Sequence, residues 1–251
     1  MSKKFIGYIM AGENGLEETK QQMRKLESCG IDILEIGLPF SDPVGDGPVI
    51  QKAGEKALKN GINLDKVFQM LSEVRTEVTY EIVIMSYLNP IFAYGVDRAS
   101  QKAKEVGVSG FIIPDLTNDP SHEIRQTAKN YGLYVVSFLA LTSPEIRKET
   151  VAIEAEGFIY AVSLKGVTGA SLTSKSELQD HLASIKKYAS APVYAGFGIR
   201  SKEDIEEILP YCDGVIIGTK LMENISEGKW EEIKELVNTC QEFSGLTNQI
   251  K

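Results

Sequence analysis

Glu35 lies within the apolar run Ile33–Ile36, and Asp46 follows across a loop that carries Pro39, Pro43 and Pro48 together with Gly37, Gly45 and Gly47. A carboxylate inside an apolar strand loses its hydration, so its pKa rises toward the range in which it gives and takes protons at neutral pH. The loop after it is stiff and poor in side chains, which suits a shaped site holding a fixed anion. Each residue also has a structural reading. Glu35 can be a core carboxyl satisfied by hydrogen bonds or an ion pair, and Asp46 can cap the helix that Pro48 opens. Asp42, just before Pro43, reads as an Asx turn.

A second group of residues suits an anion. Gly196-Phe197-Gly198-Ile199 follows the apolar run Pro192–Ala195, and Gly218-Thr219 follows Gly214–Ile217 and opens a short helical piece. Glycines let backbone approach a ligand closely, and helix N-termini point unsatisfied N–H groups at a phosphate; the alternative for each is a tight turn. Between them and Tyr160 runs the long polar stretch Ser163–Thr173, read as a lid or binding loop in which Gly169 adds a third phosphate contact. Tyr8, Tyr87 and Tyr160 either line the cavity or pack in the core. Asn89–Gly95 places Ile91, Phe92 and Tyr94 in a connection, which marks an interface unless they fold back over the helices. His122 and His181 fall in helical stretches and read as surface histidines, Trp230 as a packing anchor, and no His, Cys and carboxylate spacing suggests a metal.

The elements that must position these residues repeat along the chain. Eight short apolar runs are Phe5–Met10, Ile33–Ile36, Ile82–Met85, Gly110–Ile113, Tyr134–Phe138, Phe158–Val162, Pro192–Ala195 and Gly214–Ile217. They are continuous rather than alternating, as expected of parallel strands covered on both faces. Between them lie amphipathic stretches at 17–29, 49–60, 64–74, 96–106, 121–131, 144–156, 177–189, 202–209 and 230–243. Gly30, Gly61, Gly107, Gly132 and Gly157 stand where helices should stop, and Pro120 and Pro144 where they should start. Eight βα units without a linker predict one α/β domain over residues 1–251, a closed (β/α)8 or TIM barrel, with an open doubly wound sheet as the alternative. In such barrels chemistry sits at the carboxyl ends of the strands, and phosphate commonly sits after the last two.

Composition narrows the function. With 35 acidic against 27 basic residues and a net charge of -8, the chain offers no electrostatic footprint for nucleic acid or anionic lipid. Cys29, Cys212 and Cys240 are far apart and read as buried free thiols. Phe5–Ala11 reads as a first strand rather than a signal peptide, and the weakly polar Ile82–Val96 is broken by Ser86, Asn89 and Pro90, so neither predicts membrane attachment. The expectation is a soluble cytoplasmic protein.

These residues resemble the tryptophan synthase alpha family over nearly the whole chain. The resemblance is carried by 34–43 (LEIGLPFSDP), 46–51 (DGPVIQ), Pro114-Asp115-Leu116, 166–169 (GVTG) and 196–199 (GFGI). It implies a lyase that cleaves indole-3-glycerol phosphate to indole and glyceraldehyde 3-phosphate in tryptophan biosynthesis. Glu35 would be the acid/base and Asp46 would hold the indole N–H. Tyr160 would orient the substrate, Gly169, Gly196, Phe197, Gly198, Gly218 and Thr219 would hold its phosphate, and Tyr8, Tyr87, Ile112 and Thr168 would line the indole pocket. The resemblance further implies no cofactor in this chain, and a β subunit that uses pyridoxal phosphate in an αββα tetramer, with Asn89–Gly95 at the contact. The sequence departs from the family pattern at Gly12-Glu13-Asn14, Gly45, Thr117 and Leu164, and at its start, where no helix is expected before the first strand. The alternatives are a regulatory subunit without turnover and another phosphate-binding barrel enzyme, such as an isomerase.

Overall fold

The computed structural model describes residues 2–116, 118–162, 175–196 and 198–248, with backbone alone for 118–120, 175 and 244–248. The chain divides into two compact units, one of Tyr8–Val135 and one of Met1–Gly7 with Val136–Lys251. Each is a run of strand-to-helix repeats on a parallel sheet.

In the first unit the order along the chain is β1 (Lys4–Met10, shared with the second unit), α1 (Leu16–Cys29), β2 (Ile33–Gly37), α2 (Pro48–Lys59), α3 (Leu64–Val74), β3 (Glu81–Met85), α4 (Leu88–Tyr94), α5 (Val96–Glu105), β4 (Gly110–Ile112), α6 (Asn118–Asn130) and β5 (Tyr134–Val135). The sheet order is β5-β4-β3-β2-β1. β2 pairs with β3 from Ile33 opposite Glu81 to Gly37 opposite Met85, and β3 pairs with β4 as far as Met85 opposite Ile112. Helix α1 buries Thr19, Met23, Leu26 and Cys29, a three-to-four-residue spacing that presents one face to the sheet, and Gly30 ends it at φ 80°, a left-handed conformation that glycine adopts without penalty. Asn63 caps α3 by accepting the Lys66 N–H at 3.0 Å.

The second unit adds β6 (Ser137–Ala140), α7 (Glu145–Glu154), β7 (Ile159–Val162), α8 (Lys175–Tyr188), β8 (Val193–Gly196), α9 (Lys202–Ile208), β9 (Gly214–Ile217), α10 (Thr219–Ser226) and α11 (Trp230–Asn248). Its sheet runs β1-β9-β8-β7-β6, with Lys4 to Gly7 opposite Gly214 to Ile217. A reciprocal capping box, Ser201 with Asp204, starts α9.

Two expectations change. The run Tyr134–Phe138 is two strands, β5 and β6, interrupted at Val136. The stretch 89–95, expected as a connection, is largely the helix α4, which starts with Pro90 in its first turn, where a missing N–H is tolerated. The three cysteines are buried, and none forms a disulfide among the described residues.

Candidate active site

All five residues of β2 are buried, and the third of them is Glu35. Its side chain is 1% exposed, and its Oε1 has no hydrogen-bond partner among the described residues. Among the described residues, Glu35 therefore has no ion pair, and its Oε1 is not satisfied as a core carboxyl oxygen would be. Burial alone pushes its pKa to about 8, so the group carries its proton at neutral pH.

Two residues further along the same strand face, Gly37 makes room for Tyr8. A Cβ on Gly37 would sit 2.1 Å from the Tyr8 hydroxyl oxygen, so the phenol lies across the end of β2 on the side that carries Glu35. In register with Gly37 are Met85 and then Ile112, which is fully buried. Tyr8, Glu35 and Ile112 therefore lie toward the same face in the carboxyl-terminal half of this sheet.

Asp46 does not cap α2. The N-cap is Gly47, and no side chain caps the helix. The Asp46 carboxylate instead accepts a hydrogen bond from the Tyr87 hydroxyl at 3.1 Å, while the same hydroxyl accepts the Gly45 N–H at 3.0 Å. Gln51 fixes the Asp46 backbone carbonyl through its amide at 2.8 Å. Burial raises the Asp46 pKa and the Tyr87 bond lowers it; burial pushes the Tyr87 phenol up to about 12. The Tyr87 ring packs on Phe40, centroids 5.3 Å apart, so loop and strand end are joined by a ring contact as well. Asp42 is exposed and accepts from the Ser41 hydroxyl at 2.5 Å.

The second unit repeats the tyrosine-over-glycine device. Tyr160 on β7 stacks on Phe138, centroids 5.0 Å apart, and lies over Gly196, where a Cβ would come within 2.4 Å of the ring. Gly198 has φ +67° and open space where a side chain would be. A left-handed residue with nothing beside it suits an anion approaching the backbone. Gly218 is the N-cap of α10, with no side chain capping the first turn that Thr219 opens. Arg200 and Glu223 form an ion pair at 2.5 Å that ties the segment after Gly198 to α10. Phe197, Thr168 and Gly169 lie outside the described residues.

Sequence reading missed several of these partners. Gly37 was legible only as part of a glycine-rich loop, and Phe40 and Asp115 only as parts of the motifs that carry the resemblance, without roles of their own; Asp115, after β4, accepts the Leu88 N–H at 2.8 Å and so caps α4. His181, expected on the surface, is buried, with Nε2 3.3 Å from the Leu139 carbonyl, and burial depresses its pKa to about 4. Its spacing to Leu182 and Ile185 on the inner face of α8 was the available clue. In α4 the apolar residues split: Ile91 turns inward while Phe92 stays 53% exposed. Among the described residues no group of three or more His, Cys, Asp or Glu could hold a metal, and no helix is long and apolar enough to cross a membrane.

Comparison with known proteins agrees with this geometry. The pattern of the family described as tryptophan synthase alpha chain matches residues 1–251. A tryptophan synthase alpha chain of Bacillus cereus is 44% identical over 235 residues, covering 94% of this chain and 91% of that one. One of Bacillus mycoides is 43% identical, covering 96% and 93%. Among solved structures, Mycobacterium tuberculosis tryptophan synthase superposes with a TM-score of 0.88 at 30% identity, covering 96% and 93%. The tryptophan synthase alpha subunit of Campylobacter jejuni gives 0.83 at 29%, covering 94% of each chain. The fold class is accordingly the (β/α)8 barrel. The chain belongs to the tryptophan synthase alpha chain family, the lyase subunit of tryptophan biosynthesis.

Proposed function

We propose that Glu35 and Asp46 carry the proton and charge chemistry of the family's reaction, the retro-aldol cleavage of indole-3-glycerol phosphate to indole and glyceraldehyde 3-phosphate. Indole leaves poorly as a carbanion, so its C3 must be protonated as the C–C bond breaks. Glu35, protonated at neutral pH by burial, supplies that proton, and its carboxylate then takes the proton of the glycerol 3′-hydroxyl as the aldehyde forms. The proton count balances, and the enzyme returns to its starting state. Protonation at C3 places positive charge on the ring nitrogen, which the Asp46 carboxylate, fixed by Tyr87, stabilises through the indole N–H.

At the other end of the substrate, Gly198 and the first turn of α10 at Gly218 and Thr219 suit the phosphate, joined in this reading by Gly196, Phe197 and Gly169. Tyr160 orients the glycerol, and Tyr8, Tyr87, Ile112 and Thr168 line the indole pocket. The observation that carries the assignment is the buried Glu35 carboxyl, whose Oε1 has no hydrogen-bond partner among the described residues, on a strand followed by a loop whose aspartate side chain is bound by Tyr87 and does not cap the next helix.

The family also supports a β subunit as partner, an αββα assembly in the cytoplasm, and no cofactor in this chain, with pyridoxal phosphate in the β subunit. Exposed Phe92 suits that contact. The testing experiment is indole release from indole-3-glycerol phosphate, with and without a β subunit. Release that the β subunit accelerates supports the reading; no release under either condition rejects it and favours a regulatory role.

A further inference from the structure

We infer that Tyr87, besides lining the indole pocket, is the positioning residue for Asp46, acting through its hydroxyl. The inference rests on the reading that Asp46 acts in the reaction, and extends it. Three contacts converge on one side chain. The hydroxyl donates to Asp46 Oδ1 at 3.1 Å, accepts from the Gly45 N–H at 3.0 Å, and the ring packs, tilted, against Phe40 on the same loop. One phenol thus spans the residue before the aspartate and the aspartate itself, 42 and 41 positions away in sequence. The glycine-rich loop has few other side chains to hold its shape. The main chain of 45–46 is held from outside the loop, at the Gly45 N–H by the Tyr87 hydroxyl and at the Asp46 carbonyl by the Gln51 amide.

The hydroxyl also favours the form of Asp46 that the reaction needs. Burial raises the Asp46 pKa, and the Tyr87 bond is the influence opposing it. Burial, and after it the negative charges of Asp46 and Asp115, discourage ionisation of the phenol and so keep it a donor. A phenol that must stay protonated, next to a carboxylate that must stay ionised, forms a charge-assisted bond with a fixed direction. Phe40 and the buried ring hold it there without any demand on solvent.

The test compares the full chain with Tyr87→Phe, Asp46→Asn and the double variant, by initial rates of indole formation across pH. Tyr87→Phe keeps the ring and its packing and removes only the oxygen. Expected for Tyr87→Phe is a fall in kcat of about ten- to a hundredfold, the scale of losing one hydrogen bond to a charged group, with KM within about threefold. The acid limb of its kcat profile moves to higher pH, because the influence that lowers the Asp46 pKa is gone. The double variant is no slower than Asp46→Asn. If Tyr87→Phe matches the parent in kcat and pH profile while Asp46→Asn is inactive, the inference falls and the role of Asp46 stands. A loss in Tyr87→Phe without movement of the acid limb reduces the tyrosine to packing and overturns the inference. Near-parental turnover by Asp46→Asn removes the underlying reading, and the inference with it.

Discussion

Replacing Glu35 by Gln keeps shape and removes a titration, and its effect on stability can be worked from the structure. In the folded chain the carboxyl holds its proton to about pH 8, against an ordinary value of 4.5. The sign follows from linkage. The unfolded chain releases the proton first, so the parent's stability is fully present below pH 4.5 and declines as pH rises toward 8. At about 1.4 kcal/mol per pH unit, the decline reaches about 5 kcal/mol, an upper bound because water that reaches the carboxylate reduces it. That is a large share of the about 5–15 kcal/mol by which domains are stable. Urea unfolding of parent and Glu35→Gln between pH 5 and 9 reads it directly. The parent midpoint falls with pH while that of the variant changes far less, and the variant becomes the more stable protein on the alkaline side. Indole formation is lost in the variant at every pH, and in the parent it declines above pH 8, where the acid has given up its proton. Parallel stability profiles for the two proteins would refute the reasoning, since they require a carboxyl already ionised in the folded chain.

Three further outcomes are expected. Gly198→Ala destabilises by about 1–2 kcal/mol through its left-handed backbone. Gly198→Asp raises the KM for indole-3-glycerol phosphate well beyond Gly198→Ala by repelling phosphate, and equal KM values would remove this loop from the site. Gly196→Ala forces Tyr160 from its stack on Phe138, and Gly37→Ala displaces the Tyr8 hydroxyl; both lower kcat/KM and the thermal midpoint, whereas retention of both quantities would mean that the tyrosines have no role there. His181, whose pKa is depressed to about 4, makes the parent lose stability as pH falls from about 6.5 toward 4; His181→Gln flattens that slope, and an unchanged slope assigns the acid sensitivity elsewhere.

The strands were legible because each falls in a short, mostly apolar run, and Glu35 was conspicuous because a charged residue interrupts one. The α4 helix was not. Its seven residues are too few for a helical period to emerge, and Leu88-Asn89-Pro90 reads as a loop until Asp115 supplies its cap from the segment after β4. The break at Val136 has no compositional mark, since Tyr134–Phe138 is uniformly apolar apart from Ser137. The roles of Asp46 stayed divided between cap and anion because the deciding partner, Tyr87, is 41 residues away, and pairings across a sheet leave no local trace. His181 was misread for the opposite reason: a polar residue on the inner face of a helix looks local and solvent-facing until its neighbours are counted.

The α4 helix has one end in the chemistry and the other in solvent. Its N-cap is Tyr87, the residue that grips Asp46, and one turn later stands the exposed ring of Phe92. At its far end Tyr94 is pinned by Asp65 at 2.5 Å and covered by the Arg98 guanidinium 4.2 Å above its ring. One helix of seven residues, with its N-cap, therefore carries both the hydroxyl that fixes the Asp46 side chain and an exposed aromatic ring, while its last residue is anchored by side chains of α3 and α5.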